Sequence, residues 1–107
     1  MSPESFVANW VALKAELLES FARETGNAAV AQQIKDMNLS EDQERQMRTV
    51  LHAVVRDTMY TLLLGLDGCA SIGSNQQDYT ILDEHGVVIT SGGALEAEAW
   101  RQFQRDQ

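Results

Sequence analysis

Residues 78–90 read DYTILDEHGVVIT, in which two short runs rich in β-branched and aromatic residues flank the segment DEHG at positions 83–86. Such runs are typical of strands, and Gly86 can adopt the positive φ angle of a tight turn at little steric cost. The pattern predicts a β-hairpin. A third short strand near residues 70–72 is an alternative that the sequence leaves open.

The residues before this hairpin have the periodicity of helices. Ser2 and Pro3 predict a helix start, because the serine side chain can accept a free amide proton and proline at the first position loses no hydrogen bond. This first helix is expected to end at Gly26 or Asn27, and residues 28–37 to form a shorter second one. The core-facing side of the first helix is predicted from spacings of three and four residues: Phe6, Trp10, Leu13, Leu17 and Phe21.

A third helix is predicted to begin at the sequence SEDQ, residues 40–43, which matches a capping box. It runs to Leu66 and becomes apolar on nearly every side, which is typical of a buried central helix. Gly92 and Gly93 then break the chain before a last amphipathic helix over residues 94–104. The apolar side of that helix is formed by Leu95, Ala99, Trp100 and Phe103.

These elements predict the fold class α+β, with three N-terminal helices, a β-hairpin and a C-terminal helix. A chain of 107 residues has the usual size of one domain, so a single domain over residues 1–107 is expected. An isolated hairpin is only marginally stable. The apolar face of the hairpin must therefore lie on helices or on another strand.

The charge of the chain is strongly negative and unevenly distributed. The net charge is −8, and from Asp57 to Ala99 there are seven acids with no lysine or arginine. Binding a nucleic-acid backbone requires clustered cations, so DNA and RNA are not expected partners. An acidic surface for a basic protein partner is expected instead, formed by Asp67, Asp78, Asp83, Glu84, Glu96 and Glu98.

Four basic side chains follow one another along the third helix at spacings of three, four and four residues: Arg45, Arg48, His52 and Arg56. This spacing places them within about one quarter of the helix circumference, away from the apolar side. One interpretation is a solvated face with weak surface ion pairs. The other is a patch that binds an anion or an acidic segment.

No motif predicts catalysis or a cofactor. Residues 68–73, GCASIG, have the glycine spacing of a phosphate-binding loop but lack the lysine that follows it in such loops. Cys69 is expected to be buried and inert, since its acidic surroundings would raise the thiol pKa. His52 and His85 have no neighbours at metal-ligand spacing. Neither an enzyme nor a metal site is therefore expected.

The sequence also predicts a cytoplasmic location. The first residues, MSPESFVANW, lack a basic start followed by an apolar run and a cleavage site. The most apolar run, residues 59–66, is too short to cross a bilayer. Cys69 is the only cysteine and cannot form an internal disulfide, which suits a reducing compartment.

Three stretches of the C-terminal half, LLLGLDGCASIG, QDYTILDEHGVVI and LEAEAWRQF, resemble small bacterial proteins in which an apolar helix ends at Leu-Asp-Gly, a strand pair follows, and an acidic-aromatic helix closes the chain. Some of those proteins are immunity proteins of bacterial toxin systems. The resemblance covers residues 50–104 and implies a small cytoplasmic α+β binding protein. It assigns no functional residue.

The function predicted from these observations is a non-enzymatic protein-binding module, immunity-like, that presents an acidic surface to a basic partner. A homodimeric structural or regulatory module is an alternative, with Trp10, Phe21 or Trp100 at an apolar interface. A second alternative is a small-molecule carrier with a pocket between the hairpin and the third helix. In that case Tyr60, Tyr79 and His52 would supply the polar contacts.

Overall fold

The computed structural model describes residues 1–22 and 29–105, and the side chains up to residue 104. Within these ranges it contains four α-helices: α1 (Pro3–Ala22), α2 (Ala29–Asp36), α3 (Glu41–Leu66) and α4 (Ala94–Ala99). A π-helical segment, Trp100–Arg105, continues α4. The helix end predicted at Gly26 or Asn27 lies outside the described residues, as does the first residue predicted for the second helix.

The predicted starts of α1 and α3 are confirmed by their hydrogen bonds. Ser2 Oγ accepts the amide of Ser5 at 3.1 Å. At α3, Ser40 Oγ accepts the amide of Gln43 at 3.2 Å, and Gln43 Oε1 accepts the amide of Ser40 at 2.9 Å. Both halves of the capping box are therefore formed, which fixes where α3 begins.

The predicted β-hairpin is wrong, and with it the α+β fold class. The described part of the chain has no strand and no sheet. Residues 78–90 hold only one isolated antiparallel bridge, between Leu82 and Val88. The alternative strand at residues 70–72 is also not formed. Over its described residues the fold is helical.

Side chains interrupt the strand pairing in this segment. The amide of Val87 donates to Asp83 Oδ1 at 2.9 Å, and the amide of Ile81 donates to Thr90 Oγ1 at 3.1 Å. In a regular hairpin both amides would donate to carbonyls of the facing strand. Asp and Thr side chains compete with the backbone in this way, so the ladder ends after one bridge.

The chain divides into two compact units, which are described separately. The first unit consists of Met1–Val11 and Asp57–Gln107, and the second of Ala12–Arg56. The core of the first unit contains seven buried apolar side chains: Val7, Met59, Leu63, Ile89, Leu95, Ala99 and Phe103. The prediction for the last helix is thus confirmed at three of its four apolar positions, whereas Trp100 is 54% exposed.

Gly65 lies buried near the end of α3, in the first unit. A Cβ atom at this position would lie 2.4 Å from Cγ1 of Ile72, far inside van der Waals contact. The chain that leaves α3 can pack this closely because residue 65 has no side chain. Gly68, with φ 79°, then turns the backbone away from the helix.

The second unit buries little. Among its described residues only Ala31 and Lys14 are buried, and its larger apolar side chains are half-buried or exposed. Leu13, predicted to face the core, is 44% exposed. On α3, Val50 and Val54 are 55% and 54% exposed, so the apolar side predicted for this helix is not buried at these positions. The burial predicted for its far end concerns the first unit, where Met59 and Leu63 are buried. None of the described helices is long and apolar enough to span a bilayer.

Candidate functional site

The negative charge of the chain is concentrated in the first unit. The residue ranges of this unit contain nine carboxylate side chains and two arginines, a net charge of −7. The ranges of the second unit contain seven carboxylates and six lysines or arginines, a net charge of −1. All six residues of the predicted acidic surface belong to the first unit.

Asp67 and Asp78 line one cavity of about 190 Å³, at the end of α3 and before α4. The other lining residues are an aromatic ring, two hydroxyl side chains and three glycines: Tyr79, Thr90, Ser91, Gly68, Gly92 and Gly93. A Cβ atom at position 68 would lie 3.5 Å from Oδ1 of Asp78. The cavity therefore combines two carboxylates with a polarisable ring and small neighbours.

Asp67 also holds the start of α4. The N-cap residue of this helix is Gly93, whose φ is 78° and which has no side chain to cap the free amides. Oδ2 of Asp67 accepts the amide of Glu96 at 3.0 Å and supplies the missing cap. This contact brings Glu96 next to the cavity.

The carboxylate of Glu96 contacts the single cysteine. The thiol of Cys69 donates to Oε2 of Glu96 at 2.9 Å. This hydrogen bond is the main cause that raises the pKa of Cys69 to about 11, with burial and the negative charges of Glu96 and Asp67 adding to it. Cys69 is exposed, so the prediction that it is buried is wrong. It is nevertheless a protonated, weakly reactive thiol at neutral pH.

Two of the predicted acids are neutralised within the first unit. Asp83 pairs with the amino group of Met1 and accepts the amides of His85 and Val87, each at 2.9 Å. The hydrogen bond from the amino group is the main cause that lowers the pKa of Asp83. Its side chain is only 8% exposed. Asp83 is therefore a structural residue of the turn, not part of a free acidic surface.

Glu98 is neutralised by Arg101, whose Nη2 lies 2.7 Å from Oε2 of Glu98. The side-chain amide of Gln102 donates to the same oxygen at 3.0 Å, and its hydrogen bond is the main cause that lowers the pKa of Glu98. Arg101 also lies 3.5 Å from Glu4. Of the six predicted acids, the structure thus assembles Asp67, Asp78 and Glu96, while Glu84 stays exposed beside His85 at the turn.

The predicted basic row lies on α3 in the second unit. Arg45 pairs with Asp42 one turn earlier. Arg48, His52 and Arg56 line one shallow surface depression. Tyr79, named with His52 for the predicted carrier pocket, lines the cavity of the first unit described above, and the carrier stays a prediction.

Lys14 of α1 joins this row, and the sequence analysis missed it. Its side chain is buried, and burial is the main cause that lowers its pKa, followed by the charge of Arg56. Burial also lowers the pKa of His52, with the charges of Lys14 and Arg56 adding to it. Helical spacing places Lys14 on the same side of α1 as Val7, seven residues earlier, but only the packing within the second unit brings it to the row.

No group of three or more His, Cys, Asp or Glu side chains in the described ranges is arranged to hold a metal ion. Comparison with known proteins gave no match to a protein-family model, to a curated protein or to a solved structure. The resemblance to immunity proteins stays a prediction, and the strand pair that it implied is not present in residues 78–90.

Proposed function

We propose that the chain is a non-enzymatic protein-binding module, of the immunity-like kind and cytoplasmic, whose first unit offers an acidic surface to a basic protein partner. One observation carries the proposal: seven of the eight net negative charges belong to one compact unit. A charge of one sign on one unit attracts an oppositely charged partner before contact and orients it.

The contact surface is smaller than the six acids of the sequence prediction. Asp83 and Glu98 are paired inside the unit and contribute little field outside it. The acids that remain for a partner are Asp67 and Asp78, which line one cavity, and two acids outside its lining, Glu96 beside Cys69 and the exposed Glu84. The binding surface is therefore centred on this cavity.

An arginine or lysine of the partner fits the chemistry of the cavity. Carboxylates form charge-assisted hydrogen bonds with guanidinium and ammonium groups. Tyr79 adds a ring face for a cation, and Thr90 and Ser91 add hydroxyl acceptors. A basic side chain inserted there would be held on several sides.

The proposal is tested by capture from an extract of the source organism with the full chain as bait, at low and high ionic strength. D67N/D78N removes two charges from the cavity, and the asparagine at position 67 keeps an oxygen for the amide of Glu96. E16Q/E41Q removes the same charge from exposed positions of the second unit and is the matched control. Salt screens exposed charges over a Debye length of about 10 Å.

We expect basic proteins that bind at low salt and are lost both at high salt and with D67N/D78N, while E16Q/E41Q retains them. Purified partners should then associate more slowly with D67N/D78N, with a smaller change in dissociation. If every captured protein is retained equally at low and high salt, or if both double variants lose binding equally, the proposed surface is not used.

A homodimer is a second candidate, favoured by exposed apolar side chains of the first unit. Leu82 and Val88 are bridge partners, 55% and 47% exposed, and Trp100 is 54% exposed. A dimer would cover such side chains. Light scattering of the wild type and of L82T/V88T tests this: a wild-type dimer that the variant dissociates supports it, and a monomer at all concentrations removes it.

A further inference from the structure

The second unit contains a larger cavity, of about 450 Å³, between the end of α1, α2 and the first turns of α3. This volume is in the range of small-molecule sites, which is about 300–1,000 Å³. Its apolar walls are formed by Phe21, Ala22, Ala31, Ile34, Leu39, Met47 and Leu51. All of these residues belong to the second unit.

The lining of this cavity is mixed, and its apolar part is surface that the described residues leave partly open to water. Of the lining residues only Ala31 is buried, while Phe21, Ile34 and Leu51 are half-buried. Among the described residues of the second unit, no large apolar side chain is fully buried. An apolar group placed in the cavity would remove these side chains from water, which is favourable.

The polar residues of the lining are exposed and carry a net positive charge. They are Lys35, Asn38, Glu44 and Arg48. Two cations face one carboxylate here, in a chain whose net charge is −8. The mouth of the cavity therefore has the opposite sign to the protein as a whole and selects against a cationic ligand.

We propose that this cavity binds an amphipathic anion: a molecule with one carboxylate or similar head group and an apolar tail. The head lies at Lys35 and Arg48, where the guanidinium of Arg48 can hold a carboxylate through two parallel hydrogen bonds. The tail lies among Phe21, Ile34 and Leu51. This site is independent of the acidic surface proposed above.

The ligand class is tested by calorimetric titration of the full chain with hexanoate, octanoate and decanoate. Each methylene that enters the cavity should tighten binding about fourfold, which corresponds to about 0.8 kcal/mol. Decyltrimethylammonium and decanol carry a tail of the same length with a cationic and a neutral head. We expect decanoate to bind more tightly than either.

The site is tested by charge removal. R48Q and K35Q should each weaken the binding of decanoate about threefold to tenfold, as expected for a partly exposed ion pair. The affinity for decanol should not change. R45Q is the matched control, because Arg45 is exposed on the same helix, pairs with Asp42 and does not line the cavity. Its affinity for decanoate should equal that of the wild type.

The proposal is overturned by any of three results: no binding of decanoate, no dependence on tail length, or equal binding of decanoate and decyltrimethylammonium. An equal loss with R45Q and R48Q would also overturn it, since the effect would then be one of overall charge. If the protein is a dimer and decanoate binds only after dilution has dissociated it, a second copy of the chain, not a ligand, occupies the cavity.

Discussion

The side chain of Asp67 accepts the backbone amide of Glu96 at 3.0 Å and so connects the end of α3 to the start of α4. α4 has only six residues, and its N-cap glycine offers no side-chain acceptor. Even with the π-helical segment Trp100–Arg105 that continues it, this helix is short enough to be only marginally stable by itself. The acid that lines the cavity is therefore also part of the fold.

This double role predicts different effects of substituting the two cavity aspartates. D67A should lower the free energy of unfolding by about 1 kcal/mol, as for the loss of an N-cap. D78A, in the same cavity but without a described hydrogen bond, should stay within about 0.5 kcal/mol of the wild type. Urea denaturation measures both values, and an equal loss would show that Asp67 does not cap α4.

A second prediction concerns the reactivity of Cys69. With its pKa raised to about 11, the thiol is almost fully protonated at pH 8, and alkylation by iodoacetamide should be about two orders of magnitude slower than for free cysteine. E96Q removes the negative charge beside the thiol, which lowers the pKa and speeds alkylation. E98Q removes a carboxylate that pairs with Arg101 and should leave the rate unchanged. A wild-type rate equal to that of free cysteine would contradict the contact.

A third prediction follows from the close approach of Gly65 and Ile72. G65A should destabilise the protein by about 1–3 kcal/mol, because the new methyl group overlaps Cγ1 of Ile72. Truncation of Ile72 removes the overlapping atoms. In the I72A background the same G65A change should become neutral or stabilising by up to about 1 kcal/mol, since alanine is the better helix former. Thermal unfolding of the four proteins gives the coupling, and additive effects would rule out the clash.

The local parts of this structure could be predicted from the sequence, because each depends on residues a few positions apart. Ser2 and Ser40 satisfy amides three residues later, which the patterns at 2–5 and 40–43 indicate directly. The strand pairing failed for a reason that lies in side chains. Composition favours strands at 78–90, but Asp83 and Thr90 accept the amides that a ladder would use.

The candidate sites could be predicted only as lists of charges. Nothing in the sequence indicates that Cys69 meets Glu96, 27 residues away, or that Asp83 pairs with the amino group of Met1. Acids that look equivalent in the sequence differ in the fold: Asp83 and Glu98 are paired with cations of the protein, whereas Asp78 has no such described pair and can contact a partner. The same holds for Lys14, which joins the basic row only when α1 lies beside α3 within the second unit.

A fourth prediction concerns acid stability. The pKa of Glu98 is lowered by Gln102 and Arg101, so its carboxylate binds protons less readily in the folded state than in the unfolded one. Its stabilising contribution is present above its unfolded pKa and is lost as the pH falls through the lower folded value. E98Q should therefore unfold with a weaker dependence on pH below about pH 4.5. The exposed E16Q should retain the wild-type dependence, and an E98Q profile parallel to that of the wild type would contradict the pairing.

The last prediction concerns the cations of the second unit. The pKa of His52 is lowered by burial first and then by the charges of Lys14 and Arg56. K14M removes one of these charges and keeps a side chain of similar length, so the imidazole should bind its proton more readily and the pKa of His52 should rise toward its ordinary value. Titration of the His52 ring protons by nuclear magnetic resonance measures this shift directly. R45Q removes a positive charge from the same helix, but Arg45 pairs with Asp42 and does not act on His52, so it should leave the titration unchanged. If the pKa of His52 does not change in K14M, Lys14 lies too far from His52 to affect it. The basic row would then consist of residues of α3 alone, without Lys14 of α1.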